Sequence, residues 1–88
     1  MVVVHIPTYW RDQLGGRERV EVTASTIREL IDALEVACPG IKALLTKEDG
    51  QVRSEIAVAV DSTLTRGRLV EPVPPDAEIR FLPALSGG

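Results

Sequence analysis

The stretch TIRELIDALEVAC, residues 26–38, contains the clearest helix of the chain. Its apolar residues recur every three or four positions, which places them on one helix face, and charged residues occupy the opposite face. Thr26 can cap the first turn, and Glu29, three residues later, can bond back to Thr26 as in a capping box. The Pro39-Gly40 pair ends the helix. The pattern predicts one amphipathic helix whose apolar face packs on another layer.

Four other segments alternate apolar residues with polar or small ones, the period of two that is typical of a half-buried strand. They are VVVHI at 2–6, RVEVTA at 19–24, EIAVAV at 55–60 and IRFLP at 79–83. The first two form a hairpin across a loose polar loop with the turn dipeptide Gly15-Gly16. A short helical turn at 41–45 and a proline-stiffened connection at 71–78 join the later elements.

The predicted order is therefore strand, strand, helix, strand, strand. A hairpin followed by a helix and further strands is an α+β layout with one main helix packed across a mixed sheet. This is the ubiquitin-like β-grasp, in which the first and last strands lie side by side and parallel. We expect a single domain over residues 1–88, with 84–88 as a flexible C-terminal tail.

Composition argues against several classes of function. Of the 88 residues 44% are hydrophobic and 26% charged, which is usual for a folded domain, and the net charge of −3 disfavours nucleic-acid binding. One cysteine, Cys38, and one histidine, His5, give no disulfide and no metal site. Cys38 is in step with the apolar helix face, so we expect a buried thiol. No apolar run approaches the length of a membrane span, and no leader pattern precedes the first strand, so a cytoplasmic location is expected.

The chain ends in FLPALSGG, residues 81–88. Two terminal glycines add nothing to a core, because glycine has no side chain and loses the most backbone entropy on ordering. A frayed terminus or a cloning remnant would explain Gly87 and Gly88 without any function. Their position directly after the last strand instead favours a thin tail that enters a narrow site on a partner.

Several stretches together resemble one known family. The HIPTYWRD entry with its following GG, the TIRELIDAL helix, the VAVDS strand and turn, and the FLPALSGG ending are similar to the MoaD/ThiS family of ubiquitin-like sulfur carriers. The resemblance covers essentially the whole chain. Within the family it is greatest to the actinobacterial carriers of thiocarboxylate-dependent cysteine synthesis.

The resemblance implies a chemistry for Gly88. An adenylating enzyme that uses ATP and magnesium activates the terminal carboxylate, and a sulfur donor displaces AMP to leave a thiocarboxylate, which a sulfur-accepting biosynthetic enzyme consumes. Adenylation is needed because a carboxylate oxygen is a poor leaving group. Gly87 gives the tail clearance. The chain is then a monomeric protein co-substrate with no bound cofactor, and the product could be cysteine, molybdopterin, the thiamine thiazole or a secondary metabolite.

A partner-binding surface is expected where the tail leaves the domain. If Phe81 points inward, Leu82 points to the open sheet face beside two residues of the first strand, and apolar residues on that face favour a protein partner. The predicted contact residues are Leu82, Pro83, Ala84, Leu85, Ser86, Val3 and His5. Pro83 should stiffen the exit and prevent the tail from continuing to pair. The alternative is scattered surface hydrophobes, which are normal.

Some alternatives stay open at the level of sequence. Tyr9 and Trp10 either cover one end of the core or anchor an interface. A protein modifier that forms isopeptide bonds to lysines would use the same adenylate, so the tail does not separate it from a sulfur carrier. A β-grasp interaction module with an inert tail is a third reading.

Overall fold

The computed structural model describes residues 1–84. Its elements, in chain order, are β1 (Val2–His5), α1 (Thr8–Arg11), a 3-10 turn (Asp12–Leu14), β2 (Arg19–Val22), α2 (Ile27–Ala37), α3 (Ile41–Leu45), β3 (Ile56–Val60), β4 (Thr63–Thr65) and β5 (Glu78–Pro83). No helix within these residues is long and apolar enough to cross a membrane.

The strands form one mixed sheet in the order β2-β1-β5-β3-β4. The central pair, β1 and β5, is parallel, and every other pair is antiparallel. Parallel neighbours need a long crossover, and the chain between them supplies both longer helices and the β3–β4 hairpin. This is the predicted ubiquitin-like β-grasp, with the first and last strands side by side.

The core lies between α2 and one face of the sheet. Alternate strand residues are buried there, as the period of two predicts, and so is the apolar face of α2. Cys38 is only 1% exposed within this core, which confirms the expectation of a buried thiol. The most deeply buried side chains are Val2, Val4, Ile6, Ile27, Leu30, Leu34, Ile41, Leu45, Val58 and Ile79.

The loop between β1 and β2 differs from the prediction of a loose loop. It contains α1 and the 3-10 turn, and both Trp10 and Leu14 are buried. These two residues are four positions apart, so a helical turn directs both into the core. Gly15 and Gly16 have φ of 75° and 77°, the left-handed conformation expected of the predicted turn.

The sequence pattern does not predict the strand β4. It has three residues, two of them threonine, and follows a tight turn at Asp61, whose φ is 54°. Leu64 is 65% exposed, so β4 buries no large side chain and leaves no apolar period in the sequence.

The N-terminal cap of α2 is shifted from the predicted capping box. The Thr26 hydroxyl accepts the backbone N–H of Glu29 at 3.2 Å, as predicted. The Glu29 carboxylate, however, accepts from the backbone N–H of Ser25 at 2.9 Å and from its hydroxyl at 2.7 Å, and does not return to Thr26. These hydrogen bonds hold the pKa of Glu29 below its ordinary value.

Candidate functional site

The exit residues Pro83 and Ala84 are where the described chain leaves the sheet. Pro83 pairs with Ile56, and the Ala84 N–H donates to the Glu55 carbonyl at 2.8 Å. The prediction that Pro83 stops pairing is therefore wrong. Successive N–H groups of a strand point to opposite sides, so the missing N–H of Pro83 is on the β1 side, where pairing with β1 has already ended at Arg80. The described chain is therefore bonded to the sheet up to and including its last residue, Ala84.

The open sheet face, opposite α2, has charged residues at its centre. Val3 is level with Glu78, and His5 is level with Arg80. The His5 Nε2 lies 2.9 Å from Glu78 Oε1, and Arg80 Nη2 lies 3.7 Å from the same oxygen. His5, Glu78 and Arg80 thus form a polar cluster in the middle of the open face.

Leu82 shares the open face with Val3 and His5, but it does not lie beside them. It is level with Ala57 of β3, two residues further along β5 than Arg80. Leu82 is 39% exposed, and the neighbouring apolar pair across β3 and β4 is Ala59 with Leu64. The apolar part of the open face is thus on its β3–β4 side.

An apolar pocket of about 470 Å³, here called the exit pocket, adjoins Pro83. The Trp10 ring contributes to its lining, and the centre of this ring lies 6.0 Å from that of Phe81 and 5.5 Å from that of Tyr9, to which it is edge-on. Trp10 is 8% exposed and covers the end of the core, whereas Tyr9 is 54% exposed. The lining residues are Tyr9, Trp10, Ala43, Leu44, Arg53, Glu55, Ile56 and Pro83.

Tyr9 is positioned by its hydroxyl, which donates to the Phe81 carbonyl at 3.4 Å. Partial burial raises the pKa of Tyr9, because desolvation disfavours the phenolate. The sequence left open whether these aromatic residues cover the core or anchor an interface. Trp10 covers the core, and Tyr9 is an exposed aromatic ring beside the exit.

A second depression of about 600 Å³, here called the cationic groove, lies on the other side of the exit. It shares Glu55 and Ile56 with the exit pocket, and Pro83 lines the pocket while Ala84 lines the groove, so the two depressions adjoin each other at the exit. Sequence reasoning did not find either depression. The groove is lined by Lys47, Gln51, Val52, Ser54, Glu55, Ile56, Ala57, Thr65, Arg66, Gly67, Arg68 and Ala84.

The remaining predicted site residues, Leu85, Ser86, Gly87 and Gly88, lie outside the described residues. Within residues 1–84, no three His, Cys, Asp or Glu side chains are grouped so that they could hold a metal ion.

Comparison with known proteins places the chain in a family. The sequence model of the ThiS family matches residues 4–88, which includes both terminal glycines. The chain belongs to the ThiS family. Among curated proteins, no sequence matches it significantly.

Three solved structures are similar over nearly the whole chain. A chain in the crystal structure of the Amycolatopsis orientalis BexX/CysO complex has a TM-score of 0.86 and 38% identity, with both chains covered completely. Mycobacterium tuberculosis CysO has a TM-score of 0.85 and 27% identity, over 97% of this chain and 100% of that one. SAMP1 from Haloferax volcanii, a small archaeal modifier protein, has a TM-score of 0.73 and 25% identity, over 99% and 98%.

The family and these relatives confirm the resemblance predicted from sequence. The chain is a ubiquitin-like sulfur carrier of CysO-like type. In the Amycolatopsis structure, CysO is in complex with another protein, BexX.

Proposed function

We propose that the sulfur is carried as a thiocarboxylate on Gly88. The terminal carboxylate attacks the α-phosphorus of ATP, held with magnesium by an adenylating enzyme, and pyrophosphate leaves. Hydrosulfide then attacks the acyl carbon, AMP leaves, and Gly88 carries the thiocarboxylate. The chain is a protein co-substrate in both steps. This proposal is supported above all by the family match that runs through residue 88.

The partner enzymes are proposed to bind around the exit residues. Leu82, Pro83 and Ala84 contact the partner from the edge of the sheet, and Leu85 and Ser86 enter it with Gly87 giving clearance. Val3 and His5 contact a partner surface that extends over the open face. The exposed Leu82 and the exit pocket beside Pro83 support this placement, because both offer apolar surface where the tail begins.

The sulfur acceptor is proposed to be a biosynthetic enzyme. Cysteine synthesis is favoured by the likeness to CysO, with molybdopterin, thiazole and secondary-metabolite synthesis as the other acceptor pathways. We place the reaction in the cytoplasm, where ATP is available. We treat residues 1–88 as one domain with a tail at 84–88, whose first residue, Ala84, is still hydrogen-bonded to Glu55.

The deciding experiment is the intact mass of the chain after incubation with ATP, magnesium, a cognate or related adenylating enzyme and sulfide. We expect the mass change of one oxygen replaced by sulfur, and no change in a variant lacking Gly88. A Cys38→Ala variant must give the same gain, because the buried thiol is not the sulfur acceptor. If the full chain does not gain the mass with an enzyme that is active on its own carrier, the thiocarboxylate proposal is wrong.

A second function, lysine modification, is favoured by the similarity to SAMP1. Trypsin cleaves after Arg80, so a lysine modified by this chain would keep residues 81–88 as a branched FLPALSGG remnant. Finding that remnant on lysines of an extract supplied with ATP and the adenylating enzyme supports modification. Its absence, in an extract where the thiocarboxylate is formed, argues against it.

A further inference from the structure

The cationic groove is unusual in a chain that has 13 acidic and 10 basic residues. Three of its lining residues, Lys47, Arg66 and Arg68, are cationic, and only one, Glu55, is anionic. Its lining also includes Val52, Ile56 and Ala57, so the groove combines apolar surface with positive charge. Net negative charge elsewhere on the chain makes this a local feature and not a general property of the surface.

The backbone that presents the two arginines is fixed by Gly67 between them. Gly67 is buried with φ of +71°, and a Cβ at that position would lie 2.7 Å from Val58 Cγ2. Its N–H donates to Thr65 Oγ1 at 2.9 Å, and the Arg68 carbonyl accepts from the N–H of Glu71 at 2.9 Å. The two guanidinium groups therefore extend from a defined loop, which lowers the entropic cost of arranging them around a ligand.

The arginines have no intrachain charge partner among the described residues. Neither Arg66 nor Arg68 has a carboxylate within 4.0 Å in residues 1–84. Lys47 has one contact, to Asp49 at 4.0 Å, with both side chains at least half exposed. The cations are thus available to an external anion beside Ala84, which is hydrogen-bonded to Glu55 at the end of the described chain.

We propose that the cationic groove binds an acidic segment of the partner protein that receives the tail. This rests on the proposed function for the identity of the partner, although the binding itself does not require an activated Gly88. Arginine forks suit carboxylates, and an apolar floor suits apolar side chains interspersed among acidic ones. Because the groove adjoins the exit, an acidic segment seated there would hold the partner's active site next to the tail.

The probe is a blocked peptide of alternating glutamate and serine, titrated into the full ¹⁵N-labelled chain at low ionic strength and followed by amide shifts. The control peptide has glutamine in place of glutamate. We expect saturable shifts centred on residues 47, 51 and 65–68, absent with the control peptide and weakened by salt. Shifts that are absent, that are equal with both peptides, or that occur equally at basic residues elsewhere would overturn the proposal.

The matched variants are Arg66→Glu/Arg68→Glu and Arg17→Glu/Arg19→Glu. Both change the net charge equally, but Arg19 lies on β2, the opposite edge of the sheet from β4 and four strand spacings, about 19 Å, away. We expect the first pair to lower affinity for the glutamate peptide roughly tenfold or more, and the second to change it little. Equal effects of the two pairs would mean that the peptide is attracted by the overall charge of the chain, and would contradict a binding site in the groove.

A variant that lacks residues 85–88 tests whether the chain's own C-terminus, instead of a partner segment, occupies the groove. If the deletion alone shifts the amides of residues 65–68 and strengthens peptide binding, the groove is occupied by the chain's own terminus and a partner segment is not its ligand. If peptide binding is unchanged, the groove proposal stands even when the mass assay for the thiocarboxylate fails.

Discussion

Replacing Gly67 by alanine should destabilise the domain strongly, for two reasons that add. The φ of +71° is the left-handed conformation, which costs a residue with a Cβ about 1–2 kcal/mol. The new Cβ would also lie 2.7 Å from Val58 Cγ2 and 3.2 Å from Val52 Cγ2, and forcing a methyl into such a packed position costs about 1–3 kcal/mol. The free energy of unfolding should therefore fall by about 2–5 kcal/mol.

Gly50→Ala is the matched control. Gly50 has φ of +86°, but a Cβ there meets no atom within 4 Å, so only the conformational cost of about 1–2 kcal/mol applies. Urea unfolding of both variants gives the difference, provided that the slope m is unchanged. We expect Gly67→Ala to be the less stable by about 1–3 kcal/mol, since its extra cost is steric.

A second substitution tests the steric part directly. Val58→Ala removes the nearest contacting methyl, so Gly67→Ala should cost less in the Val58→Ala background than alone. If Gly67→Ala is no more destabilising than Gly50→Ala, or if the two substitutions are additive, the loop between the arginines is not held by packing and the reasoning above is refuted.

Three further predictions concern the helix ends and the thiol. Hydrogen bonds from the backbone N–H groups of Lys42 and Gly40 hold the pKa of Glu35 below its ordinary 4.5, so its contribution to stability is full above that pH and is lost as pH falls through the lowered pKa. Unfolding curves of Glu35→Gln and the native chain should therefore differ most near neutrality and converge in acid. Thr26→Ala, which removes the α2 cap, should lower the free energy of unfolding by about 1 kcal/mol in the same urea assay, whereas no loss would contradict the cap. Cys38, at 1% exposure, should react with a thiol reagent only as fast as the domain opens, so rapid labelling without denaturant would show that the site is not closed.

The sequence predicts those helices and strands that bury one face in the core. The apolar period identifies β1, β2, α2, β3 and β5, because in each of them alternating or helically spaced residues face the core. It does not identify β4, whose Leu64 is exposed, nor α1, where only Trp10 is buried among polar neighbours. Tertiary packing, not local propensity, decides those two elements.

The sequence predicts a chemistry for the site, whereas the shape of its surroundings depends on the fold. The terminal glycines and the family resemblance point to Gly88 from sequence alone. The exit pocket and the cationic groove combine residues from separate segments of the chain, so no local sequence pattern predicts them. The offset of Leu82 from His5 depends on strand register, which alternation of apolar residues does not specify along the strand direction.

The geometry of the exit limits where a partner's active site can lie. The Ala84 N–H is bonded to the Glu55 carbonyl, so the last described residue is fixed directly after β5, the central strand of the sheet. Four residues follow, and even a fully extended chain of that length spans at most about 14 Å. An enzyme acting on Gly88 must therefore approach within about 14 Å of Ala84, a distance at which its surface necessarily faces the exit residues. The exit pocket and the cationic groove both adjoin the exit residues. A partner enzyme that binds the tail can therefore contact either of them.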